Sequence, residues 1–317
     1  MALIRDLIVQ GLQMLLVLGL APLLTGLVRK LKARLTRRRG ASIFQPYRDL
    51  VRLMRKEVVL ADNASWLFRS VPYIVFATTW VAAALVPTFA TGLVFAWTAD
   101  LIAIIALIGT ARFFLALAGM DVGTAFGGIG SSREMMIASL AEPAMLLVVF
   151  TLALTAGSTQ LSTVATFMGS SAVGLSVSVA LALVALVMVA IAENGRVPID
   201  NPATHLELTM VHEAMVLEYS GRHLAMVEFA GSLRLLLYMS LIACLFAPWG
   251  LTTGSDPAGY LPAIALYLAK LAVGAVLLAL FETSIAKMRV FRVPQFLGAA
   301  LMLGLLGTLL LFVSRSV

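Results

Sequence analysis

Eight uninterrupted apolar stretches, at about 7–28, 71–95, 98–118, 135–156, 172–192, 224–247, 261–281 and 294–313, constrain this chain more than any other feature. Each has the roughly 20 residues an α-helix needs to cross the hydrocarbon core of a bilayer. Backbone in lipid must satisfy its own hydrogen bonds, so stretches of this kind predict helices. The 317 residues are 61% hydrophobic and 12% charged. Soluble domains are about half apolar and about a quarter charged, so soluble, fibrous and disordered chains are excluded. The expected fold is all-α, a single polytopic membrane domain over 1–317 with about eight transmembrane helices. The first stretch is too long, and too poor in a small-residue cleavage site, for a secretory signal, and is expected to be a mature helix.

The placement of positive residues orients the bundle. Of the 23 Lys and Arg, 12 lie between Arg29 and Arg69, after the first stretch. The loops after the third, fifth and seventh stretches carry Arg133, then Arg196 and Arg222, then Lys287, Arg289 and Arg292, while the loops after the second, fourth and sixth carry none. The odd loops are therefore expected on the cytoplasmic side, with both termini outward. Clustered in this way, the net charge of +7 reads first as topology. The single cysteine, Cys244, excludes an internal disulfide, a four-thiolate zinc site and a cysteine-ligated iron–sulfur cluster within the chain, so redox chemistry would sit on a partner.

Two cytoplasmic segments are unusually polar, a basic loop over 29–69 and an acid-rich loop over 193–223. Within the first, Tyr47, Leu50, Val51, Met54 and Val58 recur at helical spacing with Arg48, Arg52, Arg55 and Lys56 elsewhere, which predicts a helix on the membrane surface. Anionic lipid and a soluble partner both suit such a helix. In the second, Leu206, Leu208, Met210, Val211, Met215, Val216 and Leu217 predict an amphipathic helical segment. Glu207 and Glu218, eleven residues apart, would then lie about 20° apart on one face. A solvated loop is the plainer reading. Partly buried carboxylates on one face would bind protons more readily, as a relay requires.

Acids and bases at bilayer depth are expensive and mark functional sites. Glu142, Glu193, Asp200, Glu207, Glu213, Glu218, Glu228 and Glu282 all lie in spans or cytoplasmic loops and are the candidate proton path. His205 and His212 are candidate titratable links, near neutral pH, or hydrogen-bond partners of a neighbouring glutamate. His205, His212 and His223, seven and eleven residues apart, would be roughly 10 and 16 Å apart along a helix, too far to ligate one metal ion. Arg112 with Glu142, and Arg234 with Glu228, are expected as buried pairs; Arg196 and Arg222 are expected to pair with Glu193, Asp200 or Glu218. Lys270, in mid-span, needs a partner or water. The glycine-rich stretch 119–135 has no phosphate-binding lysine and follows no strand, so it reads as a flexible, close-packed connection.

Several separated motifs, RRGASIFQPYRDLVRLMRKE at 38–57, ADL at 99–101, SSREMMIASLAEP at 131–143, AENGRVPID at 192–200, LEL at 206–208, EYSG at 218–221 and FETSIAKMR at 281–289, resemble one family. It is the membrane subunit shared by complex I, as subunit 1, and by the energy-converting hydrogenases, as formate hydrogenlyase subunit 4 and hydrogenase-4 component C. The resemblance implies a membrane anchor without a cofactor of its own, contacting an iron–sulfur small subunit and a hydrogenase-like large subunit that could hold nickel and iron, and leading to antiporter-like proton-pumping subunits. It implies docking by the first cytoplasmic loop, here Arg37, Arg38, Arg39, Gln45, Tyr47 and Asp49, and a polar path through Glu142, Glu193, Arg196, Asp200, Glu207 and Glu218. In PIDNPATHLEL, Ala203 and His205 stand where complex I has acids. That departure favours a hydrogenase-type relative, or one that has lost its nickel ligands, over a quinone-reducing one. A stand-alone ion transporter is the reading from another class, and its usual inverted repeats are not visible.

Overall fold

The first apolar stretch forms a helix longer than the membrane it crosses. In the computed structural model, which describes residues 2–170, 176–200, 210–253 and 257–316, α1 runs Ala2–Leu35. Its 34 residues span about 51 Å, against a hydrocarbon thickness of about 30 Å. The basic end of α1 therefore projects from the bilayer.

The chain then turns back through α2 (Gln45–Met54), entered at Pro46 in its first turn, and crosses as α3 (Trp66–Leu85). Further on come α4 (Leu101–Asp121), α5 (Ala125–Ala156), the short α6 (Leu161–Met168), α7 (Val177–Glu193), α8 (His212–Val216), α9 (Gly221–Phe246), α10 (Tyr260–Ser284) and α11 (Val293–Ser316). Among the described residues, seven helices are long and apolar enough to cross a membrane. The apolar α7 has 17 residues and begins just after 171–175, which lie outside the described residues. The protein is an all-α, multi-pass membrane protein.

Packing follows the apolar faces. α11 lies on α5 and α7, α4 between α3 and α5, and α9 against α3 and α1, while α10 packs chiefly on α1. The largest core cluster joins side chains such as Leu24, Ile104, Leu152, Leu186, Leu236 and Leu297. At the end away from the basic loops, the α3–α4 and α9–α10 connections meet as two parallel strands, with Ala90 opposite Thr252 and Thr91 opposite Thr253.

Three expectations are corrected. The stretch 71–95 leaves its helix at Leu85, because Val86 is extended and Pro87 follows. The glycine-rich segment is largely helix: α5 starts at Ala125, capped by the Thr124 hydroxyl on the Gly127 N–H. Gly130, without a side chain, lets it pass close to Ala214 and Met215 of α8. Of the helix expected over 206–217, residues 206–209 lie outside the described residues, and within 210–217 it is the short α8. The Val211 N–H is taken by the Asp200 carboxylate at 3.2 Å and the Met210 carbonyl by Arg133 at 2.8 Å, so neither serves a longer helix. Glu218 lies past the end of α8, and Glu207 and His205 lie outside the described residues.

The two polar loops are tied together. The Ser220 hydroxyl donates to the Val59 carbonyl at 2.7 Å and accepts from the Val59 N–H at 2.8 Å. Tyr219 stacks on Phe68 with ring centroids 4.1 Å apart. Gly221 has φ +53° and no room for a side chain beside the Glu57 carbonyl. Gly221→Ala should therefore cost about 1–3 kcal/mol in thermal unfolding of the detergent-solubilised chain. Gly298→Ala, where nothing lies within 4 Å, should be neutral or slightly stabilising.

Candidate functional site

Arg112, on the twelfth position of α4, is the most buried cation of the site, with 2% of its side chain exposed. Its Nε lies 3.5 Å from Glu134 Oε1 and its Nη1 3.6 Å from Glu142 Oε1, while its Nη2 contacts Glu193 Oε2. Glu134 and Glu142 are eight residues apart on α5, about two turns, so both can turn toward one guanidinium. Glu193 is the last residue of α7, and its carbonyl accepts a 3.3 Å hydrogen bond from Arg234 Nη1 of α9. Glu134, Glu142 and Glu193 thus converge on Arg112, with Arg234 held against the Glu193 backbone carbonyl.

A second group lies at the basic end. Glu282 pairs with Lys32 Nζ at 2.6 Å and accepts a hydrogen bond from Arg196 Nη1 at 3.4 Å. Asp200 pairs with Lys287 Nζ at 3.1 Å, and the Met288 N–H donates to the Pro198 carbonyl at 2.8 Å. Lys32, Arg196 and Lys287 thus stand against the carboxylates of Glu282 and Asp200.

His212 is placed to feel both. Burial first, then Arg234 and Arg112, push its imidazole down to about 4 against the opposite pull of Glu134 and Asp200. His212 is therefore neutral at pH 7, which corrects the expectation of a histidine titrating near neutrality. A cavity of about 610 Å³ opens between α1, α2, α8 and α9, lined in part by Arg29, Asp49, Arg196, His212, Glu213 and Glu228. Arg196, paired with Glu282, and the neutral His212 both line this cavity.

The structure pairs the charges differently from the sequence reading in most cases. Arg112 does meet Glu142, but Arg196 pairs with Glu282, not with Glu193, Asp200 or Glu218. Arg234 serves the Glu193 carbonyl, and Glu228 faces the cavity, while Arg222 is exposed. Lys270 finds partners in the Ala247 carbonyl, at 2.6 Å, and the Trp249 carbonyl. Of the docking set, Arg37, Arg38 and Arg39 are exposed at the turn after α1. Gln45 instead bonds Asp49 at 3.1 Å and Tyr47 donates to the Gly19 carbonyl of α1. Sequence reasoning left out Lys32, Glu134 and Lys287. Glu134 and Lys287 lie inside the quoted motifs SSREMMIASLAEP and FETSIAKMR, and that was the available signal. Among the described residues, no group of three or more His, Cys, Asp or Glu is arranged to hold a metal ion.

Over residues 9–313 the chain matches the NADH dehydrogenase family. It is 34% identical over 283 residues to formate hydrogenlyase subunit 4 of Escherichia coli (strain K12), covering 89% of this chain and 91% of that protein. Hydrogenase-4 component C of the same organism is 34% identical over 279 residues, 87% of each chain. Among solved structures, a chain of the membrane-bound sulfane sulfur reductase, an archaeal respiratory membrane complex, superposes with a TM-score of 0.79 at 19% identity, covering 98% of this chain and 99% of that one, a likeness of fold.

Two outcomes follow from the geometry. Arg112→Met leaves its buried carboxylates without their cation and should lower stability by about 3–5 kcal/mol, with part of the loss recovered when Glu193→Gln is added; thermal unfolding in detergent measures both. The unfolded chain protonates His212 below about pH 6.5, the folded one only below about 4. Stability present above pH 6.5 is therefore lost as pH falls toward 4. The melting temperature of His212→Gln should fall less than that of the parent between pH 7.5 and 5, by roughly 2–4 °C per kcal/mol of linked stability.

Proposed function

The chain belongs to the NADH dehydrogenase family, and from that premise we propose that it is the membrane-anchoring, proton-path subunit of an energy-converting, hydrogenase-type respiratory complex in the cytoplasmic membrane. The observation that carries this reading is the paired series of buried ions from the basic loops into the bundle: Asp200 and Glu282 at the loops, Glu193 at the end of α7, then Arg112 with Glu134 and Glu142 inside. Glu142 is the one carboxylate of the inner group with a half-exposed side chain, at 45%, on a membrane-crossing helix. A carboxylate there is costly against lipid and suits a polar neighbour, such as an antiporter-like subunit. On this reading a soluble arm, an iron–sulfur small subunit and a hydrogenase-like large subunit with nickel and iron, docks at the basic loops through Arg37, Arg38 and Arg39. Electron transfer in that arm shifts the field at Asp200, Glu213 and Glu218, and the carboxylates redistribute a proton toward Glu142 and Glu282. On this reading the redox cofactors sit in the docked arm, and a proton moves along the carboxylates.

The cavity of about 610 Å³ favours a second reading, a quinone-site subunit of a complex I-type enzyme. The two are separated by extracting the tagged chain in mild detergent from its native membrane, identifying the accompanying subunits and measuring nickel, iron and quinone reduction. Hydrogenase-like subunits without quinone reduction support the first reading, and inhibitor-sensitive quinone reduction supports the second. Recovery of the chain alone, from an extraction that preserves other complexes, sinks both. Glu142→Gln and Glu207→Gln should abolish ion translocation while the complex stays assembled, read as proton uptake in vesicles. Full translocation in both variants would overturn the proton-path role.

A further inference from the structure

We propose that the outward face of α2 binds the headgroup of an anionic phospholipid. The helix has two distinct stripes. Pro46, Asp49 and Leu50 turn inward to line the cavity, with Leu53 half-buried one turn further on. Arg48, Val51, Arg52 and Arg55, spaced as neighbours on the other side, are exposed. With Tyr47 they line an open concavity of about 450 Å³.

The depth of α2 selects its neighbour. Tyr47 donates to the carbonyl of Gly19, ten residues before Arg29, where the charged end of α1 begins. Ten residues are about 15 Å along a helix. The Ile43 carbonyl likewise sits against Gly26, in the place a side chain would fill. The first turn of α2 therefore runs beside the apolar part of α1, at the bilayer edge. Exposed Phe44, Val51 and Met54, at 59%, 52% and 44%, suit acyl chains there. The guanidiniums of Arg48, Arg52 and Arg55 suit phosphate at the same level. Asp49 Oδ1 holds Arg52 Nη2 at 3.1 Å and orients it while 66% of its side chain stays exposed. Arg37, Arg38 and Arg39, past the end of the projecting α1, are left to water and to soluble partners.

The test uses the detergent-extracted full chain, with the subunits that accompany it, titrated with dioleoylphosphatidylglycerol or dioleoylphosphatidylcholine in mixed micelles and read by native mass spectrometry. Phosphatidylglycerol should be retained in preference to phosphatidylcholine. Each basic residue near an anionic surface is worth about fivefold, so Arg48→Gln/Arg52→Gln/Arg55→Gln should lose at least about tenfold of the preference. The lysine triple, Arg48→Lys/Arg52→Lys/Arg55→Lys, should keep most of it, and Arg37→Gln/Arg38→Gln/Arg39→Gln should keep all of it. Should the glutamine triple fail to fold, Arg48→Gln and Arg55→Gln singly should each lose about fivefold. The proposal is overturned by an absence of preference in the parent, by full retention in the α2 variants, or by loss in the Arg37–Arg39 variant instead. Displacement by millimolar inorganic phosphate, marking a bare anion site, overturns it too, as does a preference that appears only after soluble subunits are stripped away.

Discussion

A guanidinium that is 2% exposed in the middle of a membrane-crossing helix has to be matched by anions from other helices, and much of this bundle is arranged around that demand on Arg112. Lipid tails are as apolar as leucine, so burial of leucine alone gives little reason for one transmembrane helix to choose another. The carboxylates of α5 and α7 and the Arg234 contact from α9 supply that choice, joining four helices at one point. The small side chains around it, among them Ala111, Ala138 and Ala141, let those helices approach.

The outer group does for the loops what Arg112 does for the helices. Lys32 of α1, Arg196 after α7 and Glu282 of α10 meet although they are far apart in sequence, and Lys287 fastens the α10–α11 connection to Asp200.

What was legible in the sequence follows the same physics. Hydrophobic runs of about 20 residues mark spans because the bilayer imposes their length, and these appeared at nearly every helix. The start of α5 was missed because Gly127 to Arg133 carry little apolar signal; their helix is held by the Thr124 cap and by close approach to α8. The segment 206–217 has a helical pattern, yet Asp200 and Arg133 claim the backbone at Val211 and Met210. Sequence also says that a buried ion needs a partner without saying which one. Arg196 took Glu282 rather than the nearer Glu193 and Asp200 because the bundle, not the chain, decides who is adjacent.

The inner carboxylates differ sharply in exposure. Glu193 is 2% exposed and Glu134 is 7% exposed, whereas Glu142 is 45% exposed, yet all three contact one guanidinium. A carboxylate at the edge of a membrane bundle is costly against lipid unless a polar group faces it. Glu142 is therefore the member of the group that meets the surroundings of the chain. Gly109 of α4 faces it, and a methyl group there would lie in ordinary contact, 3.4 Å from Glu142 Oε1. A bundle that only needed to neutralise Arg112 would have no use for a third carboxylate at its edge. Glu142 is held by the cation on one side and open on the other, which suits contact with a polar neighbour.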